Sequence, residues 1–152
     1  MLGDDDATVA ARDVSSARRD VVYEWRGAVE NAEIDQLHAE GFGHEPTGFP
    51  WSTVLSRHSL GWVCARADSR LIGFVNVAWD GASHAFILDT VVSSTERHRG
   101  IGTALVSTAT QGAVEAGCEW LHVDFENHLR TFYLDVCGFI PTAAGLVRLR
   151  GD

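Results

Sequence analysis

The chain has no uninterrupted run of about 18 apolar residues, so no helical membrane span is expected. It has no basic excess either. Twelve Lys and Arg stand against 21 Asp and Glu, a net charge of −9, whereas a general nucleic-acid binder carries a basic surface. Its three cysteines, Cys64, Cys118 and Cys137, form no CxxC pair. An odd number without metal spacing argues against a disulfide framework or a zinc site, and for reduced thiols in a cytoplasmic protein. The start, Met1-Leu2-Gly3-Asp4, lacks the basic region and apolar stretch of a signal peptide. His38, His44, His58, His84, His98 and His128 show no metal spacing, and no metal is expected.

What is present is ordinary globular material, 45% hydrophobic and 22% charged over 152 residues. That length fits one domain able to bury a core and still carry a cleft. Residues 1–19 read as a loose arm and residues 20–152 as the domain. Val21 to Trp25 predicts a first strand. Asn31 is placed to cap a helix reaching about Glu40, with Ile34, Leu37 and His38 on its inner stripe. Gly41 to Pro50 reads as a loop, and Trp51 to Ser59 is ambiguous, with a short helix as one reading. Trp62–Arg66, Leu71–Trp79 and Ala85–Val92 read as strands joined by turns at Asp68-Ser69 and Asp80-Gly81, an antiparallel meander. Ile101, Leu105, Thr108, Ala109, Ala113 and Ala116 recur at helical spacing, and Gly117 is a stop. Trp120 to Asp124 is expected as a strand, His128 to Val136 as a short helix, and Leu146 to Arg150 as a last strand. A strand, crossover helix and strand make one locally parallel pair. The fold class is therefore α/β, a mixed sheet with helices packed on it.

The informative segment runs from Val91 to Leu105. A strand ends, a loop turns, and a helix begins at Arg97-His98-Arg99-Gly100-Ile101-Gly102. The first turn of a helix leaves backbone N–H groups unpaired, and with the helix dipole these attract phosphate. Gly100 and Gly102 let an anion approach the backbone, and Arg97 and Arg99 add positive charge. A Walker A loop is absent, and position 105 is Leu where a dinucleotide fingerprint needs a third glycine.

Arg97-x-x-Gly100-x-Gly102 after a strand resembles the acetyl-CoA motif of the GNAT N-acetyltransferases. Asn127, Phe132-Tyr133 and Gly138-Phe139 resemble that family's C-terminal segment, in the manner of its bacterial branch. The resemblance runs from about residue 21 onward and is strongest around the two motifs. It implies a mostly antiparallel sheet with a splayed parallel pair and helices on both faces, with acetyl-CoA as cosubstrate. It implies that the backbone of Thr90, Val91 and Val92 pairs with the pantetheine arm. The amides of Arg97, His98, Arg99, Gly100, Ile101, Gly102 and Thr103 would hold the pyrophosphate, and Asn127 would lie near the thiol end. Tyr133 would be the general acid. One departure stands out: four residues, Leu134 to Cys137, separate Tyr133 from Gly138-Phe139, where the family commonly has three. Either the helix is locally distorted or Tyr133 is not the acid.

Acetyl transfer to an amine needs a base, an oxyanion donor and an acid for the thiolate. A backbone N–H near Val92 is the expected oxyanion donor. His122 shares a strand face with Asp124 and is the leading base candidate, a histidine being suited to proton transfer at neutral pH; Glu126 and Asp89 are weaker ones. Phe42 to Trp51 is a candidate acceptor wall, since a Gly/Pro-broken loop is a place for specificity. The expected activity is transfer of acetyl to a small-molecule or peptide amine, with no nucleic-acid or membrane partner; a homodimer is compatible, dimers being common in the family. The alternative is a GNAT-like module that binds acyl-CoA without turnover.

Overall fold

A computed structural model describes residues 20–151 of the chain; the arm expected over residues 1–19 lies outside the described residues. Strands β1 (Val22–Trp25), β2 (Ser59–Ala67), β3 (Arg70–Trp79), β4 (His84–Val92) and β5 (Trp120–His122) form one sheet in the order β1-β2-β3-β4-β5. Neighbours are antiparallel except β4 and β5, which run parallel. Helices α1 (Asn31–Phe42) and α2 (Trp51–His58) cover one face, and α3 (Ile101–Glu115) covers the other. The α/β mixed sheet with helices on both faces is thus as expected.

Burial explains the strand sequences. Leu71 to Val77 are buried without alternation because β3 lies between the two helical layers. Ile72, Val75 and Val77 pack with Leu105 and Ala109 of α3; Phe74 and Leu71 pack with Ile34, Leu37 and Leu55 beneath α1 and α2. The Asp68-Ser69 turn takes φ of 48° and 66°, the left-handed pair that matches the twist of a two-residue hairpin.

Four expectations are corrected. Asn31 does not cap its own helix. Glu30 precedes the helix, and its N–H donates to Glu33 Oε1 at 3.1 Å. Asn31 Oδ1 instead accepts the Ser52 N–H at 2.8 Å, in the first turn of α2. Pro50 before that helix has no side-chain acceptor, so the cap comes from 21 residues away. Strand β5 stops at His122 rather than Asp124, because its ladder with β4 ends at the Phe86–His122 pair. Beyond it the two strands part. The helix expected over His128 to Val136 is not an ordinary α-helix: Asn127–Leu129 is a 3-10 turn and Thr131–Val136 a π-helix. Finally, Leu146 to Arg150 is not a strand. No neighbouring strand pairs with it, and a lone strand leaves its backbone groups without ladder partners. Leu146, Val147 and Leu149 are consequently exposed.

Candidate active site

The site lies where β4 and β5 part. At the top of β4, Ser93 is buried and its N–H donates to the Ile72 carbonyl at 2.7 Å, which anchors the start of the loop. The chain then turns through Ser94–Glu96, with His98 at φ 65° and Gly100 at φ 77°. Gly100 is the residue before α3, and no side chain caps that helix. The first helical bond is Ala104 N–H to the Gly100 carbonyl, 3.1 Å. The N–H groups of Ile101, Gly102 and Thr103 thus have no partner within the helix, as an anion site requires. Gly102 faces the π-helix: a Cβ there would meet the Phe132 ring at 3.3 Å. Arg99 pairs with Glu96. Glu40 of α1 accepts both the N–H and the hydroxyl of Ser94, at 2.8 and 2.5 Å, and those bonds lower its carboxyl pKa, the hydroxyl contributing most.

Across the gap stands Tyr133, buried at 5% exposure. Phe125 stacks on its ring at a centroid distance of 5.1 Å, and Phe139 meets it edge-on at 5.8 Å. Burial raises the phenol pKa, opposed by a smaller lowering from the nearby Thr90 side chain. The Tyr133 hydroxyl is therefore kept protonated and lies near Thr90 of β4. The extra residue before Gly138 is absorbed by the π-turn: the Cys137 N–H reaches the Phe132 carbonyl, five residues back, at 2.9 Å. A π-turn is how a helix accommodates one inserted residue without moving what flanks it. Of the two readings of the spacing, local distortion is the one observed.

Strand β4 carries a bulge. Phe74 pairs with Val91 and Asn76 with Leu88, so β4 spends an extra residue there. Asp89 takes φ 58° at that point, a conformation uncommon for residues other than glycine but tolerated by Asp. Before the bulge Ala85 and Ile87 face α3; after it Val91 faces α1 and α2. A bulge re-aims side chains in this way. Asp89 Oδ1 lies 3.0 Å from His38 Nε2, His38 Nδ1 lies 2.9 Å from His44 Nε2, and His44 Nδ1 lies 2.7 Å from the Glu45 carbonyl. The close approach of α1 to β4 depends on Gly41, where a Cβ would stand 2.1 Å from Val91 Cγ2.

These groups border a cavity of about 380 Å³ whose other walls include Phe49, Trp51, Leu88 and Asn76. Asp35, also on its wall, accepts from the Gly48 N–H at 2.8 Å and from the Thr47 N–H and hydroxyl at 3.3 Å. These bonds, that from Gly48 first, hold its carboxyl below the usual range. The Trp51 Nε1–H is buried and lies toward the same carboxylate, outside hydrogen-bond geometry but near enough to add to that lowering. Phe42, Phe49 and Trp51, expected as an acceptor wall, cluster here: His38 lies 4.4 Å from Phe42 and 5.1 Å from Trp51 between ring centroids, and Phe49 lies 4.8 Å from Trp51.

A family model, that of the acetyltransferase (GNAT) family, matches most of the chain, residues 22–139. The chain belongs to the GNAT acetyltransferase family. That family is one of acetyl-CoA-dependent N-acetyltransferases. Solved GNAT structures share the fold at low identity. A GNAT family acetyltransferase of Streptococcus pneumoniae is 18% identical with a TM-score of 0.71, covering 88% of this chain and 100% of its own. The aminoglycoside N-acetyltransferase AAC(6')-Iy, solved with CoA, is 15% identical with a TM-score of 0.71, covering 88% and 96%. A ribosomal-protein-alanine N-acetyltransferase of Brucella melitensis is 19% identical with a TM-score of 0.67, covering 85% and 99%. None of the curated proteins compared with the chain matches it in sequence.

Within this GNAT domain, Thr90 and Tyr133 come together, and the residues from Arg97 to Thr103 form one loop and helix start at the same end of the sheet. Asn127 is exposed and opens the 3-10 turn. His122 lies elsewhere. It is exposed at the end of β5, its ring 4.6 Å from Phe86 and its Nε2 2.7 Å from His84 Nδ1. It pairs with Phe86, and Thr90 lies further along β4 by a rise of roughly 13 Å. Sequence reasoning missed His38 as a site residue and set His44 aside. Nothing in the local pattern marks either, because their partner is 51 residues away from His38.

Proposed function

We propose that the chain transfers the acetyl group of acetyl-CoA to a primary amine, carried by a small molecule or a peptide, that enters the cavity beneath α1. The observation that carries this reading is the uncapped start of α3 beside the parted strands, with buried Tyr133 near Thr90 across the same gap. The amides from Arg97 to Thr103 would hold the pyrophosphate, the backbone of Thr90 to Val92 the pantetheine arm, and Asn127 the region of the thiol. Acetyl-CoA, when bound, supplies an acyl group activated as a thioester. Tyr133, kept protonated by burial, donates a hydrogen bond or proton to the departing sulfur. Relatives of this fold named for aminoglycoside and ribosomal-protein acceptors bracket the range of amines worth testing.

Three free thiols, Cys64, Cys118 and Cys137, fit a reducing, cytoplasmic setting, and no helix among the described residues is long and apolar enough to cross a membrane. The alternative, a module that binds acyl-CoA without turnover, drew on the displaced Tyr133 and loses that motive once the π-turn absorbs the extra residue. The test is acceptor-dependent release of free CoA thiol across a panel of small and peptide amines. Tight CoA binding without release for any amine would favour the binding module. Tyr133→Phe is expected to lower kcat while leaving CoA affinity in place.

A further inference from the structure

We infer that Asp89, His38 and His44 form a proton-exit chain, in which Asp89 takes the proton of the ammonium in the acceptor cavity and His44 passes one to water. The inference rests on the amine-acetylation reading above and deepens it. Asp89 is then a catalytic residue; His38 and His44 act through it.

The hydrogen bonds carry the argument. A backbone carbonyl only accepts, so His44 must present Nδ1–H to Glu45. A neutral His44 then has a bare Nε2, which must accept from His38 Nδ1–H. The remaining link, His38 Nε2 to Asp89 Oδ1, also needs a proton. Three links thus hold three protons when the chain is complete. Loss of one proton leaves a vacancy at one end. A vacancy between Asp89 and His38 sets a carboxylate against a bare ring nitrogen, facing the cavity, and that pair accepts a proton readily.

Location supports the direction of flow. Asp89 and His38 are partly buried, at 30% and 18% side-chain exposure, and both line the cavity. His44 is exposed. The charged or titratable groups that share the cavity with His38 are Asp89 on β4, His44 in the loop and Asp35 one turn earlier on α1, and the Phe42 and Trp51 rings lie against His38. The bonds run head to tail, and among the described residues no His, Cys, Asp and Glu cluster could hold a metal ion.

The step balances. The ammonium R–NH3+ gives one proton to Asp89. The freed lone pair forms the C–N bond, and the C–S bond breaks with its electron pair on sulfur. The proton then shed by nitrogen is matched by the one taken up at sulfur, and the first passes through His38 to His44, which sheds its Nδ1 proton to water on turning from the Glu45 carbonyl.

Two measurements decide it. Ring 15N NMR of the protein without acceptor is expected to show His44 as the Nδ1–H tautomer, and the ring signals of His38 to change in Asp89→Asn. Asn tolerates the same backbone conformation, so that variant is expected to fold. An Nε2–H tautomer at His44, or His38 ring signals blind to Asp89→Asn, overturns the chain whatever the activity. With an acceptor in hand, Asp89→Asn is expected to lower kcat by about 10²–10⁴-fold. His38→Gln is expected to shift the ascending limb of the pH–rate profile, with acetyl-CoA KM unchanged. Turnover insensitive to both variants would sink the relay but leave acetyl transfer standing. No turnover by wild type with any amine would remove the reaction itself, and with it the chain's role.

Discussion

Two histidine pairs stand on the same face of this sheet, and they differ in what holds their ends. His38 and His44 approach to 2.9 Å, with Asp89 at one end and the Glu45 carbonyl at the other. His84 and His122 approach to 2.7 Å; His122 is exposed and stacked on Phe86, itself 38% exposed. The first pair lines a cavity near the bulge of β4, and the second lies toward the opposite end of that strand. A contact between two imidazoles is thus not by itself a proton path. The terminal acceptors set the tautomers, and the cavity supplies something to deprotonate.

The largest expected effect tests the shared precondition, cosubstrate binding. Gly100→Glu is expected to abolish the thermal shift given by CoA, since a carboxylate would meet the phosphates and position 100 requires φ 77°. A persisting shift would move the pyrophosphate elsewhere. Next, Asp89→Asn is expected to cost far more kcat than His122→Gln. The reverse order would hand base duty to His122 and break the comparison. Tyr133→Phe should follow, at roughly 10–100-fold in kcat, within or below the usual general-acid range.

Smaller effects sharpen the comparison. Asp35 pins the 47–48 loop near His44, and its carboxyl is held below the usual range chiefly by the Gly48 N–H. A depressed folded pKa means that its contribution is present above the unfolded value, near ~3.9, and is lost as pH falls through the folded one. Acid titration is therefore expected to loosen the 47–48 loop as pH falls through the folded value of Asp35, read from amide exchange at Thr47 and Gly48. Asn31→Ala removes the acceptor at the start of α2 and is expected to cost about 1 kcal/mol in denaturant unfolding. Smallest is an effect of alkali. Burial pushes the Cys64 thiol up to about 12, so the folded chain keeps that proton where the unfolded one loses it, from about 8.5 upward. Stability is expected to fall as pH rises through that window, with Cys64 the slowest of the three thiols to alkylate.

Local rules made some elements legible. The meander was readable because each turn carries its own chemistry, as at Asp68-Ser69. The helix start at Gly100 was readable because phosphate sites are built from consecutive backbone groups. Asn31 was recognisable as a cap, but which helix it caps was not: that depends on where α2 starts in space. The Leu146–Arg150 segment has a strand's residues and no partner, and pairing is a property of neighbours.

The feature with the most chemistry was the least visible. His38 looked like one residue of an inner stripe, and Asp89 like a base candidate weaker than His122. The sequence by itself determined the loop from Arg97 to Thr103 and the aromatic segment around Tyr133, because contiguous residues build both. Only the tertiary structure decided that the insertion after Tyr133 becomes a π-turn, and that the bulge at Asp89 meets α1. Packing of Gly41 on Val91 brings His38 to Asp89 across 51 positions of chain. No local periodicity encodes a contact of that range.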